Sequence, residues 1–128
     1  MILKLTHLRP KDNSYVTEVK CFHHYFGHNK KASKAGEFIK VSVRKRVSDV
    51  AYIKSKAVKV LKKRKKVKSY IISTKFYVKK RDGTVVSFNS NSCVLLKKRL
   101  TTRGKYVRGP FIYGLKRKKI LGSFIGNI

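Results

Sequence analysis

Chemistry in this 128-residue chain is concentrated in its cations: 34 lysines and arginines stand against 5 aspartates and glutamates, a formal net charge of +29 at pH 7. They come in runs. Nine cations lie between Lys54 and Lys68 without one acid, the densest stretch being Lys62, Lys63, Arg64, Lys65 and Lys66. Lys79, Lys80 and Arg81 form a second run, and Lys97, Lys98 and Arg99 a third. Such side chains neutralise phosphates and release the counterions condensed on a nucleic acid. Packed onto one domain they repel each other until a polyanion takes them up. A merely soluble surface needs only a few excess charges, so RNA or DNA is the expected partner. Lysine outnumbers arginine, which suits point-charge contact with phosphate more than bidentate reading of bases. No membrane partner is expected: the longest uncharged run, Gly83 to Leu96, is too short and too polar to span a bilayer, and no apolar signal core opens the chain.

Other chemistry finds little support. "CFHHYFGH" offers Cys21, His23, His24 and His28. Zinc needs four converging nitrogen or sulfur ligands, commonly two short pairs. Strand alternation would put Cys21 and His23 on one face and His24 on the other, with no second cluster nearby, so no metal is expected. The five acids, Asp12, Glu18, Glu37, Asp49 and Asp82, are scattered and form no pair for acid–base work. Asp12 and Asp82 fit turns. There is no phosphate-cradling glycine loop, so neither an enzyme nor a cofactor is expected. Cys21 and Cys93 sit in strand-like patterns and read as small buried hydrophobes in a reducing compartment. Phe38, Phe76 and Phe88 read as core. With no aromatic cluster evident on a sheet face, shape and backbone recognition of folded RNA is favoured over base stacking.

The elements that must position these cations are strands. In "GEFIKVSVRKRV", Ile39, Val41, Val43 and Val47 point one way and Lys40, Ser42, Arg44 and Arg46 the other, a half-buried strand with a basic outer face. Val16 to Phe26 alternates less cleanly but is rich in β-branched and aromatic residues. "VKSYIISTKFYVKK" places Ile72, Thr74, Phe76 and Val78 on one face. Asp82-Gly83 then supplies a hairpin turn, Val86 and Phe88 resume the inner face, and "CVLL" follows as a short buried strand. In the basic run, Val58, Val60 and Leu61 suggest a strand or loop start. Many short strands without a long helix predict a mainly β, closed or nearly closed small barrel. One domain, 1–128, is expected, with the barrel over about 1–100. The rest, 101–128, is broken by Gly104, Gly109, Pro110 and Gly114, with one or two helical turns in "LKRKKIL".

Four stretches then carry a resemblance: "KDNS" at Lys11–Ser14, "GEFIKVSV" at Gly36–Val43, "RDGTVVSFNSNSCVLL" at Arg81–Leu96 and "GP" at Gly109–Pro110. In that order and spacing they resemble the large-subunit ribosomal protein L-fourteen family of bacterial and organellar type, from Met1 to about Ile120. The resemblance implies a five-stranded β-barrel with a projecting β-ribbon and a C-terminal loop region with short helices. It implies binding to large-subunit rRNA, contact with neighbouring large-subunit proteins, and a place at the intersubunit face bridging to small-subunit rRNA. In many lineages a ribosome-silencing factor also docks on the C-terminal region. Asp12, Asn13 and Ser14 match the family's early turn, Gly36 and Lys40 its second strand and Asp82-Gly83 its ribbon tip. Asn91, Cys93 and Val94 match the return strand, and Gly104, Gly109 and Pro110 the C-terminal loop. Departures are Tyr15 in place of glycine, Arg81 in place of proline, Lys105 to Arg108 in place of Thr-Arg-Ile-Phe, and Gly114 in place of glutamate.

The candidate RNA-binding residues are therefore Lys11, Asn13, Ser14, Lys40, Arg44, Arg46, Lys62, Lys63, Arg64, Lys65, Lys66, Lys79, Lys80, Arg81, Lys97, Lys98, Arg99, Arg103, Lys105 and Arg108. Structural turns are expected at Asp12, Gly36, Asp82, Gly83, Gly109 and Pro110. The alternative is a free-standing basic barrel that binds single strands. Lysine, isoleucine, tyrosine and phenylalanine usage suggests a low-GC gene, which favours a mitochondrial ribosome over a bacterial cytoplasm.

Overall fold

The computed structural model describes residues 1–25, 27–47, 61–112, 120 and 122–127. Eleven strands follow in chain order: β1 (Ile2–Leu3), β2 (His7–Pro10), β3 (Val16–His24), β4 (Ala32–Ser33), β5 (Phe38–Arg46), β6 (Lys66–Ser73), β7 (Val78–Lys79), β8 (Val85–Val86), β9 (Ser92–Leu95), β10 (Tyr106–Val107) and β11 (Gly126–Asn127). Five of them close a barrel in the order β2-β3-β5-β6-β9. Every pair in it is antiparallel except the seam, where β2 lies parallel to β9 with Arg9 opposite Ser92 and Pro10 opposite Cys93. Closure leaves no barrel edge to protect.

The expected β5 face is present: Ile39, Val41 and Val43 are fully buried while Lys40, Ser42, Arg44 and Arg46 are not. Val47 is the exception. It lies past the end of β5 and is 36% exposed.

Alternation is imperfect in β3 because the strand is bulged. Its register with β5 shifts between Val16 and Glu18, Glu18 and Val19, and Cys21 and His23. An extra residue inverts the face assignment downstream of it. Cys21 and His24 are consequently both buried and His23 is exposed, the reverse of the simple alternation. Both cysteines are free and buried.

Two apolar clusters divide the side chains of β6 and β9 between them. Ile71, Cys93 and Leu95 join Leu8, Val19, Val41, Val43 and Val67 inside the barrel. Tyr70, Ile72, Val94 and Leu96 join Phe38, Val107, Ile112 and Ile120 in a second cluster outside it. Both faces of β9 are therefore covered, and all four of its residues are buried. The neutrality of "SCVLL" follows, since an unpaired charge on either face would be stranded away from water. Phe38 is core as expected and Phe88 packs half-buried against the second cluster, but Phe76 is 45% exposed. The reason is that β6 ends at Ser73, so Phe76 leaves the sheet before the ribbon starts.

The ribbon is the β7–β8 pair, Val78 opposite Val86 and Lys79 opposite Val85. Two pairings had no clear sequence signal: β1 with β4, and the parallel β10 with β11. Of "LKRKKIL", only Ile120 lies within the described residues, and it is buried. Val58, Val60 and Gly114 lie outside them, and Leu61 is buried.

Candidate nucleic-acid interface

Strand register sets cations side by side. Lys20 on β3 pairs with Ser42 on β5, and Ser42 with Lys66 on β6. The neighbouring row runs His23, Lys40, Lys68 across the same three strands. Like charges directly opposite each other destabilise a sheet. Partial relief comes from aromatic faces: the Lys68 ammonium lies 4.7 Å from the centroids of both Tyr25 and Phe38, and that of Lys66 5.8 Å from Phe22. Sequence reasoning missed Lys20 and saw Lys68 only as the end of a basic run, because only the pairing of β3, β5 and β6 aligns them on one face.

Three turns carry the expected cation runs, and each is pinned. The Lys62–Lys65 turn is closed by a bond from the Lys65 amide to the Lys62 carbonyl (3.2 Å). It is anchored on β5, where the Arg64 amide donates to the Val43 carbonyl and the Val43 amide to the Lys65 carbonyl, at 2.8 and 3.1 Å. At the ribbon tip, Asp82 Oδ1 accepts from the Thr84 amide (3.0 Å) and hydroxyl (2.7 Å). Gly83 takes φ +88°, which a side chain resists, and Lys79, Lys80 and Arg81 are exposed around it. The Lys97–Leu100 turn closes through the Leu100 amide to the Lys97 carbonyl at 3.0 Å and exposes Lys97, Lys98 and Arg99.

The candidates at Lys11–Ser14 and Arg103–Arg108 meet as a clasp. Asn13 Oδ1 accepts from the amides of Lys105 (2.8 Å) and Tyr106 (3.4 Å), and Ser14 Oγ donates to Asp12 Oδ1 (2.6 Å). Lys11 Nζ donates to the Pro110 carbonyl at 2.8 Å, and burial lowers its pKa. Arg103 Nε donates to the Leu96 carbonyl at 3.3 Å. These polar groups are engaged inside the fold, whereas Lys105 and Arg108 stand exposed. Asp12 does more than shape a turn: it is 5% exposed and its Oδ2 accepts from the buried Leu95 amide. Tyr15 next to it holds φ +61°, so the turn keeps a left-handed residue with a bulky side chain in place. Gly36 and Gly109 also stand at positive φ.

Every described carboxylate is already committed. Glu18 contacts His7 and lies 3.3 Å from Lys45; the His7 bond holds its pKa below the usual range. Burial would raise Glu37, but Lys30 at 2.7 Å and the Lys34 amide hold it low. Hydrogen bonds from Thr84 do the same for Asp82, and Asp12 is inside the fold. Among the described residues no carboxylate forms an ion pair with the two lysine rows, and the one acid within the three cationic turns, Asp82, is bonded to Thr84. Nor do those residues contain three histidine, cysteine or acidic side chains grouped to hold a metal ion.

Residues 1–123 match the family model for ribosomal protein L14p/L23e. A Tetrahymena pyriformis protein named large ribosomal subunit protein uL14m is 41% identical over 128 residues, covering all of both chains. The chain belongs to this ribosomal protein family. A Carsonella ruddii (strain PV) relative, large ribosomal subunit protein uL14, is 38% identical over 119 residues, covering 93% of this chain and 90% of its own. The L14p/L23e membership makes the chain a structural protein of the large ribosomal subunit and not an enzyme. The five-stranded barrel agrees with the architecture expected from the sequence resemblance.

Proposed function

We propose that the chain is an rRNA-binding constituent of the large subunit of a mitochondrial ribosome, docked as a rigid body onto phosphates from several rRNA segments. The observation that carries this reading is the consumption of the described acids by local bonds, which leaves the lysine rows and the pinned cationic turns to an external polyanion. Pinning reduces the ordering cost when the turns meet phosphate. Lys40, Arg44, Arg46, Lys62–Lys66, Lys79–Arg81 and Lys97–Arg99 are the contacts, joined by Lys20 and Lys68. The full-length match to the Tetrahymena mitochondrial relative favours the mitochondrial compartment.

In this reading the protein also contacts neighbouring large-subunit proteins and small-subunit rRNA across an intersubunit bridge. A silencing factor would meet the C-terminal region, where Lys105, Tyr106 and Arg108 are exposed. The test is sedimentation of tagged protein from native lysate at moderate and high salt. Co-migration with the large subunit and its mitochondrial rRNA is expected, and protein remaining near the top of the gradient would overturn the reading. Isolated protein on naked rRNA should lose about 0.7–0.9 log units of affinity per log unit of salt for each phosphate neutralised.

A further inference from the structure

Phe76 and Tyr77 stack on one another outside both apolar clusters, ring centroids 4.5 Å apart and planes 24° apart. They are 45% and 56% exposed. Two large rings left half in water forgo burial that the fold could have gained, and such patches mark contact sites. The segment carrying them is tied down: Thr74 Oγ1 donates to the Phe76 carbonyl (2.9 Å), the Lys75 amide to Asn91 Oδ1 (2.9 Å), and the Phe88 amide to the Thr74 carbonyl (3.2 Å). The rings are thus positioned before any ligand arrives, which lowers the entropic cost of binding.

A cavity of about 290 Å³ opens beside the pair, and the charged side chains in its wall are Lys34 and Lys79, with no carboxylate. An apolar protein surface would gain nothing from those two cations, whereas a nucleotide uses both features, its base on a ring and its phosphate on an ammonium.

We propose that Phe76 and Tyr77 form a base-stacking platform for one unpaired rRNA nucleotide, whose base extends the two-ring stack while Lys34 and Lys79 meet its phosphate. The proposal rests on the rRNA-binding reading above and adds to it a base-level contact. Stacking of this kind tolerates any base, because each presents a π-face.

The experiment uses large subunits purified from cells carrying the tagged chain, irradiated at 254 nm and digested for mass spectrometry. A nucleotide adduct on Phe76 or Tyr77 is expected. Its yield should fall roughly tenfold or more in Phe76→Leu/Tyr77→Leu, which keeps exposed apolar bulk and removes the π-faces, while the variant chain still sediments with the subunit. Subunits that hold the protein but give no adduct at these residues would overturn the platform and leave the ribosomal reading standing. A cross-link from these residues to another protein would overturn it equally, in favour of a protein neighbour. Absence of the chain from the large subunit would instead remove the rRNA-binding reading itself.

Discussion

Asp12 and Leu95, 83 residues apart, are joined by a 3.0 Å hydrogen bond from the buried Leu95 amide to the Asp12 carboxylate. The bond crosses the parallel β2–β9 seam at the point where the chain leaves β2, next to the Lys11 amide bonded to the Cys93 carbonyl. It holds the seam and the C-terminal loop in one unit, since Asp12 also bridges Val107 through the backbone.

Asp12→Ala should destabilise the protein by about 2 kcal/mol, because a buried amide is left without an acceptor. Asp12→Asn keeps an oxygen for Leu95 and should cost less than half of that. Burial raises the Asp12 pKa above 3.8, against bonds from Ser14 and Leu95. The folded state therefore takes up this proton more readily than the unfolded chain, so wild type gains stability relative to Asp12→Asn as pH falls through the raised value toward 3.8. Urea midpoints of the two chains across that range check the sign.

Gly104 is buried against the same clasp, and a β-carbon there would lie 2.8 Å from the Asn13 backbone nitrogen and closer still to its side-chain oxygen. Gly104→Ala should cost about 1–3 kcal/mol. In an Asn13→Ala background the increment should shrink, since one of the two clashing groups has gone. A double-mutant cycle by chemical denaturation measures the coupling.

His24 is buried, with Nδ1 2.7 Å from Ser33 Oγ and Nε2 lacking a partner among the described residues. Its pKa is lowered below 6.5, first by burial and then by Lys30, Lys4 and His23, with Glu37 opposing. Burial disfavours the imidazolium in the folded state, so the unfolded chain takes up the proton first, and the contribution is full above pH 6.5 and is lost as pH falls from 6.5 through the lowered value. Thermal midpoints taken from pH 7.5 to 5 should fall more steeply for wild type than for His24→Gln.

Cys93 is fully buried and its pKa is pushed up to about 12, chiefly by that burial; burial also raises Cys21. Neither thiol should react with iodoacetamide at pH 8 in folded protein, and both should react once urea unfolds it. Rapid native labelling of either would mean that the barrel opens locally.

Much of this protein was legible in one dimension. Apolar–cationic alternation over Phe38–Arg46 marks a half-buried strand whatever it pairs with, because successive side chains on a strand face opposite ways. Asp82-Gly83 marks a tight turn for the equally local reason that glycine accepts positive φ. Charge is additive, so the demand for a polyanion needed no structure.

What the tertiary structure alone decided depends on residues distant in sequence. The bulges in β3 put His24 inside and His23 outside, and bulges arise from pairing with β5. Phe76 looked like core by alternation, but the sheet stops at Ser73 and releases it to the surface. Asn13 and Lys11, candidate RNA contacts by sequence, bond the loop at 103–110 that folds back onto them, while Ser14 bonds Asp12 in its own turn. The lysine rows exist only because strands separated by tens of residues share a register. Local sequence carries the periodicity of an element and the sum of its charges; which partners meet across a closed barrel is set by the joint packing of every strand in it.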